Sequence, residues 1–283
     1  MRKNGIAATV LVILILAAVT FFASKGRAGY TRDDLTVISQ ADDHVMVSYE
    51  GRTVKLYKHF SFDFDFPDFL GWFDEGEWTG MTLQSPLAKT VADYVALRKE
   101  IRAGRSDFLD NRIEAVGGAA RFTSVDPATD MVTAKAMLQN DGLWFVKGDD
   151  LWFKGQFFLE TGIPFTIVDF QERGRRHSPG PRITIWERTH IGMEMKHGFK
   201  PTMRQTIAEV PTQRWFDLKV HMVLDEKNGH IRIWQDGVLI IDGPVRTLPK
   251  SNSVLNALEV GITATSQAAT VLVDDVFISH EPL

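Results

Sequence analysis

The sequence predicts an all-β chain folded as an antiparallel sandwich, and three observations carry that expectation. From Phe216 to Leu224 apolar residues alternate strictly, with Phe216, Leu218, Val220, Met222 and Leu224 on one side and Asp217, Lys219, His221 and Val223 on the other, the period of a half-buried strand. Two turn dipeptides follow at once. Asn228-Gly229 and Asp236-Gly237 read as tight hairpin turns with positive φ, so Phe216–Leu224, His230–Trp234 and Val238–Ile241 form an antiparallel trio. Finally, short apolar runs joined by Gly- or Pro-containing segments recur through the C-terminal half, the signature of a sandwich or barrel.

Composition narrows the function classes. The 283 residues are 44% hydrophobic and 24% charged, with 19 Phe and 7 Trp, ample material for one large core. A net charge of −4 supplies no broad basic surface and argues against a nucleic-acid partner. No cysteine is present, which excludes disulfides, thiolate metal sites, a cysteine nucleophile and a lipid-modified cysteine.

In chain order, Arg2 and Lys3 precede Ile6–Ala23, an uncharged run of 18 residues. At about 1.5 Å per residue it reaches roughly 27 Å, enough to cross a hydrocarbon core. The preceding cations put the N-terminus in the cytoplasm and the remainder outside it. We therefore expect a membrane anchor and tether over 1–28, with secretion after signal cleavage as the alternative; Gly26-Arg27-Ala28 is a weak cleavage sequence. Leu35–Ser39, Val45–Tyr49 and Thr53–Tyr57 predict a small β-meander over 29–58. His59–Phe66 alternates Phe60, Phe62, Phe64 and Phe66 against Ser61, Asp63 and Asp65, a principal core strand. Ser85-Pro86 is an N-cap followed by a favoured first helical residue, and predicts one inserted helix over 86–103, ended by Gly104. Strands are expected at Arg112–Val125, Met131–Leu138, Trp152–Glu160, Phe165–Phe170, Arg182–Trp186, His190–Lys196, Thr206–Glu209, Ala257–Ala264 and Thr270–Ser279, giving a single domain over 59–283.

Phe60-Ser61-Phe62-Asp63-Phe64, Trp215–Val220, Gly229–Gly237, Leu258–Ile262 and Val273–Ile278 together resemble the concanavalin A-like jelly rolls, in their polysaccharide lyase and laminin-G-like branches. That resemblance implies two stacked antiparallel sheets, one of them concave and lined with sugar-binding residues. Alginate-lyase-like members would carry Arg-x-Glu-x-Arg, Gln-x-His and a late tyrosine. The nearest stretches here, Lys154–Glu160, Asp169–Glu172 and Leu258–Ala264, are degraded and lack the tyrosine. The Glu-x-Asp-x-x-Glu carboxylates of the related endoglucanases are absent, which removes the two groups that retaining glycoside hydrolysis requires.

On the strands expected to form the concave face, polar and aromatic residues gather away from the core: Trp152, Lys154, Gln156 and Glu160; Arg182, Thr184 and Trp186; His190, Glu194 and Lys196; Asp217, Lys219 and His221. Aromatic surface beside fixed donors and acceptors is what a carbohydrate ligand needs, and Trp152 and Trp186 are the stacking candidates. Glycan binding is the expected function. The alternatives are β-elimination on a uronate polymer and a cell-envelope protein-interaction role. In the lyase reading Arg182 or Lys196 neutralises the carboxylate, His190 or His221 removes the neighbouring proton, and the acid is His221 or water. All four tyrosines (Tyr30, Tyr49, Tyr57 and Tyr94) precede these strands. Asp63, Asp65, Asp274 and Asp275 would meet if the terminal strands lie side by side, as oxygen ligands for a structural Ca²⁺ or as edge charges that deter sheet association.

Overall fold

The computed structural model describes residues 35–49, 51–65, 78–84, 111–126, 134–172, 178–195 and 202–283. Among these residues every regular element is a strand. The expected membrane segment Ile6–Ala23 and the expected helix 86–103 lie outside them, and no helix among the described residues is long and apolar enough to cross a membrane.

Three antiparallel sheets form. β1 (Thr36–Gln40), β2 (His44–Tyr49) and β3 (Arg52–Tyr57) make the expected meander, in the order β1-β2-β3. Val45, Val47 and Leu56 on its inner side pack with Trp144, Val146 and Val254 in a small core of their own. The main body is built from β4 (His59–Phe62), β5 (Gly80–Gln84), β6 (Arg112–Val116), β7 (Ala119–Ser124), β8 (Ala134–Asn140), β9 (Asp150–Thr161), β10 (Thr166–Glu172), β11 (Ser178–Trp186), β12 (His190–Met195), β13 (Thr202–Glu209), β14 (Trp215–Val223), β15 (His230–Gln235), β16 (Val238–Pro244), β17 (Ala257–Thr265) and β18 (Ala269–Ser279). A seven-stranded sheet runs β13-β12-β11-β10-β17-β8-β5. An eight-stranded sheet runs β16-β15-β14-β9-β18-β7-β6, with β4 also paired to β18.

The two large sheets share one core. Phe153, Phe157, Leu218, Val220 and Ile233 enter it from the eight-stranded sheet, and Phe170, Ile183, Met193, Val260 and Ile262 from the seven-stranded one. Phe153 of β9 meets Phe170 of β10 edge to face at 5.7 Å, a packing between layers that adds to the burial of both rings. Strict alternation at Phe216–Met222 thus selects the inner side, as the sequence indicates.

Several local expectations change. Arg112–Val125 is not one strand, because Gly117 and Gly118 take φ of 60° and 81° and fold it into the β6–β7 hairpin. The first core strand stops at Phe62. Phe64 adopts φ 55°, yet it stays buried and stacks on Trp78 at 5.8 Å, so the alternating burial outlasts the strand. Asp236-Gly237 is the expected tight turn, with φ of 49° and 77°. Asn228-Gly229 is not: neither residue has positive φ, and the β14–β15 connection is a wider loop closed around Asp225. Its carboxylate accepts the N–H groups of Lys227 at 2.7 Å and Asn228 at 2.8 Å. The Asn228 and Lys227 N–H groups, with the Lys147 ammonium, hold that carboxyl down at about 2. Asn228 therefore serves through its N–H and Gly229 through its lack of a side chain, since a Cβ there would fall 2.6 Å from the Val245 carbonyl oxygen.

Candidate functional site

The residues expected on one concave face divide between the two outer faces of the sandwich. Trp152, Lys154, Gln156 and Glu160 stand on β9, and Asp217, Lys219 and His221 on β14, neighbours in the eight-stranded sheet. Arg182, Thr184 and Trp186 on β11, and His190 and Glu194 on β12, belong to the seven-stranded sheet. The single row expected from the sequence is therefore two separate groups. Lys196 lies outside the described residues.

On the seven-stranded sheet a transverse row of polar side chains crosses five strands in register. Gln139 of β8 opposes Glu259 of β17, Glu259 opposes Asp169 of β10, Asp169 opposes Arg182 of β11, and Arg182 opposes Glu194 of β12. These positions point away from the core because their neighbours Phe170, Ile183, Met193 and Val260 fill it. Asp169, Gln171 and Glu259 are nevertheless only 2% exposed, and every residue of β10 and β17 is buried. Burial of charged groups demands hydrogen bonds, and they are present. The Gln171 amide donates to Glu259 Oε2 at 2.5 Å and to Asp169 Oδ2 at 3.2 Å, while the Thr263 hydroxyl donates to Asp169 Oδ1 at 3.2 Å. The accessible end of the row is the half-buried pair Arg182 and Glu194, joined by a salt bridge.

Beyond that pair the face ends at the β11–β12 turn. Trp186 opposes His190 across it, and the Thr189 N–H donates to the Trp186 carbonyl at 3.0 Å. Between them Glu187 and Arg188 have φ of 49° and 61°. That is a primed turn of the kind hairpins favour, built without the Asn or Gly that makes it easy, and strain held in this way concentrates at binding loops. Next to the turn lies a depression of ≈ 360 Å³ lined by Ile163, Phe165, Ile185, Trp186, Glu187, Arg188 and Ser266. Its walls mix aromatic surface with charged and hydroxyl groups. The Arg204 guanidinium covers one side of the Trp186 ring, and Arg182 lies 5.1 Å from the Phe165 ring centre, so both aromatics are fixed by cation–π contacts.

The lyase constellation does not assemble among the described residues. Arg182 is occupied by Glu194. His190 pairs with Trp186, four residues along the strand from Arg182, about 13 Å away at ordinary strand rise; the carboxylate and acidic proton of a uronate sit on neighbouring carbons. The His190 Nδ1 bonds the Thr189 hydroxyl at 2.8 Å. His221 is in the other sheet, with Nε2 at 2.6 Å from Asp150 and its ring stacked on Trp152 at 4.0 Å. Nor do the degraded motif stretches share a face: Asp169–Glu172 and Leu258–Ala264 are adjacent in the seven-stranded sheet, but Lys154–Glu160 is in the eight-stranded one.

The terminal strands do pair, β4 against Val276–Ser279 of β18. Asp274 lies within the field of Asp275, Asp65 and Asp63, and its carboxyl is pushed up to about 6, first by desolvation and then by those like charges, against the Asp275 N–H that it accepts. Among the described residues, however, no three His, Asp or Glu side chains converge as a metal site.

Asp169, Gln171, Glu259 and Gln139 were missed as site candidates. Their only sequence signal is a polar residue repeated at alternate positions of otherwise apolar strands, which does not reveal that those strands are neighbours.

No family model matches the chain, and no curated protein matches it. Among solved structures it is similar to an endo-β-1,4-glucuronan lyase from the fungus Trichoderma reesei, at TM-score 0.49 and 14% identity over 61% of this chain and 88% of that one. It is also similar to the alginate lyase PA1167 from Pseudomonas aeruginosa, at 0.44 and 12% over 65% and 90%, and to the alginate lyase Aly36B, at 0.43 and 8% over 79% and 97%. Likenesses at this level assign neither residues nor activity to this chain.

Proposed function

We propose that this chain is an extracytoplasmic, membrane-anchored glycan-binding domain of concanavalin A-like jelly-roll type, which takes its ligand at the β11–β12 end of the seven-stranded sheet. The observation that carries the reading is the depression beside Trp186: aromatic rings held in place by arginines, bordered by the charged residues of a strained turn. Sugar rings offer apolar faces to such aromatics and hydroxyls to such charges. Binding without turnover is favoured over β-elimination because no cation, base and acid meet around one position on this face among the described residues.

A glycan array probed with the full chain tests this. Binding that falls at least tenfold in Trp186→Ala supports it, on the scale of a lost aromatic stack. No signal from any glycan sinks it in favour of a protein-interaction role, and a rise in ultraviolet absorbance from an unsaturated uronate product would establish the lyase instead. Protease protection of the C-terminal region in intact spheroplasts would overturn the orientation.

A further inference from the structure

The opposite outer face, on the eight-stranded sheet, holds an arrangement that the reading above does not use. Lys154 of β9 stands directly opposite Lys219 of β14, in the middle of the sheet and half-buried. Like charges in direct cross-strand register destabilise a sheet, so such a pair calls for a compensating anion. Other cations on or beside this face have a carboxylate: Arg121 with Glu160 at 2.7 Å, Arg112 with Glu114 at 3.0 Å, Arg214 with Asp236 at 3.1 Å and Arg232 with Asp242 at 3.3 Å. His221 has Asp150 at 2.6 Å. Neither central lysine has a carboxylate within 4.0 Å among the described residues.

Aromatics continue the row on both sides. Trp234 opposes Lys219 on β15 and Phe277 opposes Lys154 on β18. The Lys219 ammonium is 4.7 Å from the Trp234 ring centre, and Trp152 lies nearly parallel to Trp234 at 6.2 Å and 19°. In the row beyond, Gln156 opposes Asp217, an amide and a carboxylate suited to hydroxyls. His221, 7% exposed, keeps its Nδ1 without a hydrogen-bond partner.

We propose that Lys154 and Lys219 seat the anionic group of an acidic polysaccharide, a carboxylate or sulfate, with its ring against the neighbouring aromatics and its hydroxyls toward Gln156 and Asp217. Paired ammonium groups supply the charge complement. The adjacent aromatic and hydroxyl-binding groups select a sugar over a lipid headgroup or free phosphate, and Asp217 repels a second anion in that row. This seat is independent of the Trp186 depression.

The test uses the full chain with alginate and heparin as acidic polymers, a neutral β-glucan, and phosphatidylserine vesicles. Lys154→Gln and Lys219→Gln should each weaken acidic-polymer binding about tenfold, the value of one charged hydrogen bond, and the double variant should also flatten its salt dependence. The double variant's melting temperature should not fall, since the substitution relieves repulsion; a purely structural pair would lose stability together with binding. Undiminished acidic-polymer binding in the double variant overturns the proposal, as does vesicle binding that depends on the lysines while neither polymer binds. Acidic-polymer binding lost in Trp186→Ala but retained in both lysine variants would place the anion on the other face and likewise overturn it, without touching the glycan reading there.

Discussion

Replacing Asp274 with Asn should stabilise the fold at pH 7 and do nothing at pH 4. β18 exchanges neighbours at this residue: Ala269–Val273 pair with β7 and Val276–Ser279 with β4, and the register against β9 breaks between Asp274 and Phe277. The carboxyl is thus partly desolvated between two partners and among three other aspartates, which puts it near 6 in place of 3.8. An acid whose folded pKa is raised contributes stability below its unfolded value and loses it as pH rises through the folded one, here between about 4 and 6. Unscreened, that gap would cost about 3 kcal/mol at pH 7; with much of the group still facing water, screening leaves about 1 kcal/mol. Asn keeps an oxygen to accept the Asp275 N–H and carries no charge. Thermal melts followed by circular dichroism should show Asp274→Asn about 2–4 °C above wild type at pH 7, for roughly 1 kcal/mol in a domain of this size, with no gap at pH 4. A gain of equal size at both pH values would refute the electrostatic account. So would a calcium-dependent rise in the wild type that Asp274→Asn abolishes, since carboxylates closed around a cation hold their protons less tightly, not more.

Other perturbations follow from local geometry. Glu187→Asn with Arg188→Gly relieves two left-handed residues at about 1 kcal/mol each and should raise the melting temperature by about 4–8 °C, while weakening glycan binding because the charged rim is gone; retained binding would remove these side chains from the site. Gly229→Ala should cost about 2–3 kcal/mol by overpacking against Thr247 and Val245, although φ is unexceptional there, and a neutral result in denaturant titration would refute the close approach as the reason for glycine at this position. Arg182→Gln should destabilise by about 1–2 kcal/mol, because Glu194 loses its ion-pair partner. A variant as stable as wild type by the same titration would show that pair to be dispensable.

Much of the fold was legible because alternation is a direct consequence of strand geometry. Phe216, Leu218, Val220 and Met222 had to face one way, and the core receives them. Burial and backbone are separate matters, though. Phe64 keeps its place in the alternation after the chain has left the strand, so a run of Phe residues overstated β4. Turn dipeptides were legible only where the loop is short: Asp236-Gly237 closes directly between paired strands, whereas Asn228-Gly229 sits in a loop whose shape is set by Asp225 and by the nearness of Val245. In Arg112–Val125 the glycine pair was the turn, and the polar and apolar residues around it simply continued the β pattern on either side.

The site was less legible for a reason that lies in the connections. Alternation says which residues of a strand turn away from the core, but it cannot say to which sheet the strand belongs. β9 and β10 are consecutive, yet they stand in opposite layers, and the chain crosses again between β13 and β14 and between β16 and β17. Trp152 and Trp186 therefore share a parity and not a surface. What does unite residues is pairing, which sets Glu259 beside Asp169 across 90 positions of sequence and places Lys154 against Lys219. The two outer faces then differ in kind. On the seven-stranded sheet Asp169 and Glu259 are buried and hydrogen-bonded to Gln171 and Thr263, and among the described residues the row opens toward solvent at Arg182 and Glu194, near the β11–β12 turn. On the eight-stranded sheet Lys154 and Lys219 stand side by side with no carboxylate within 4.0 Å among the described residues, while Asp217 and Asp274 flank Gln156 in the next row, so the proposed acidic ligand would meet its complement at the lysines.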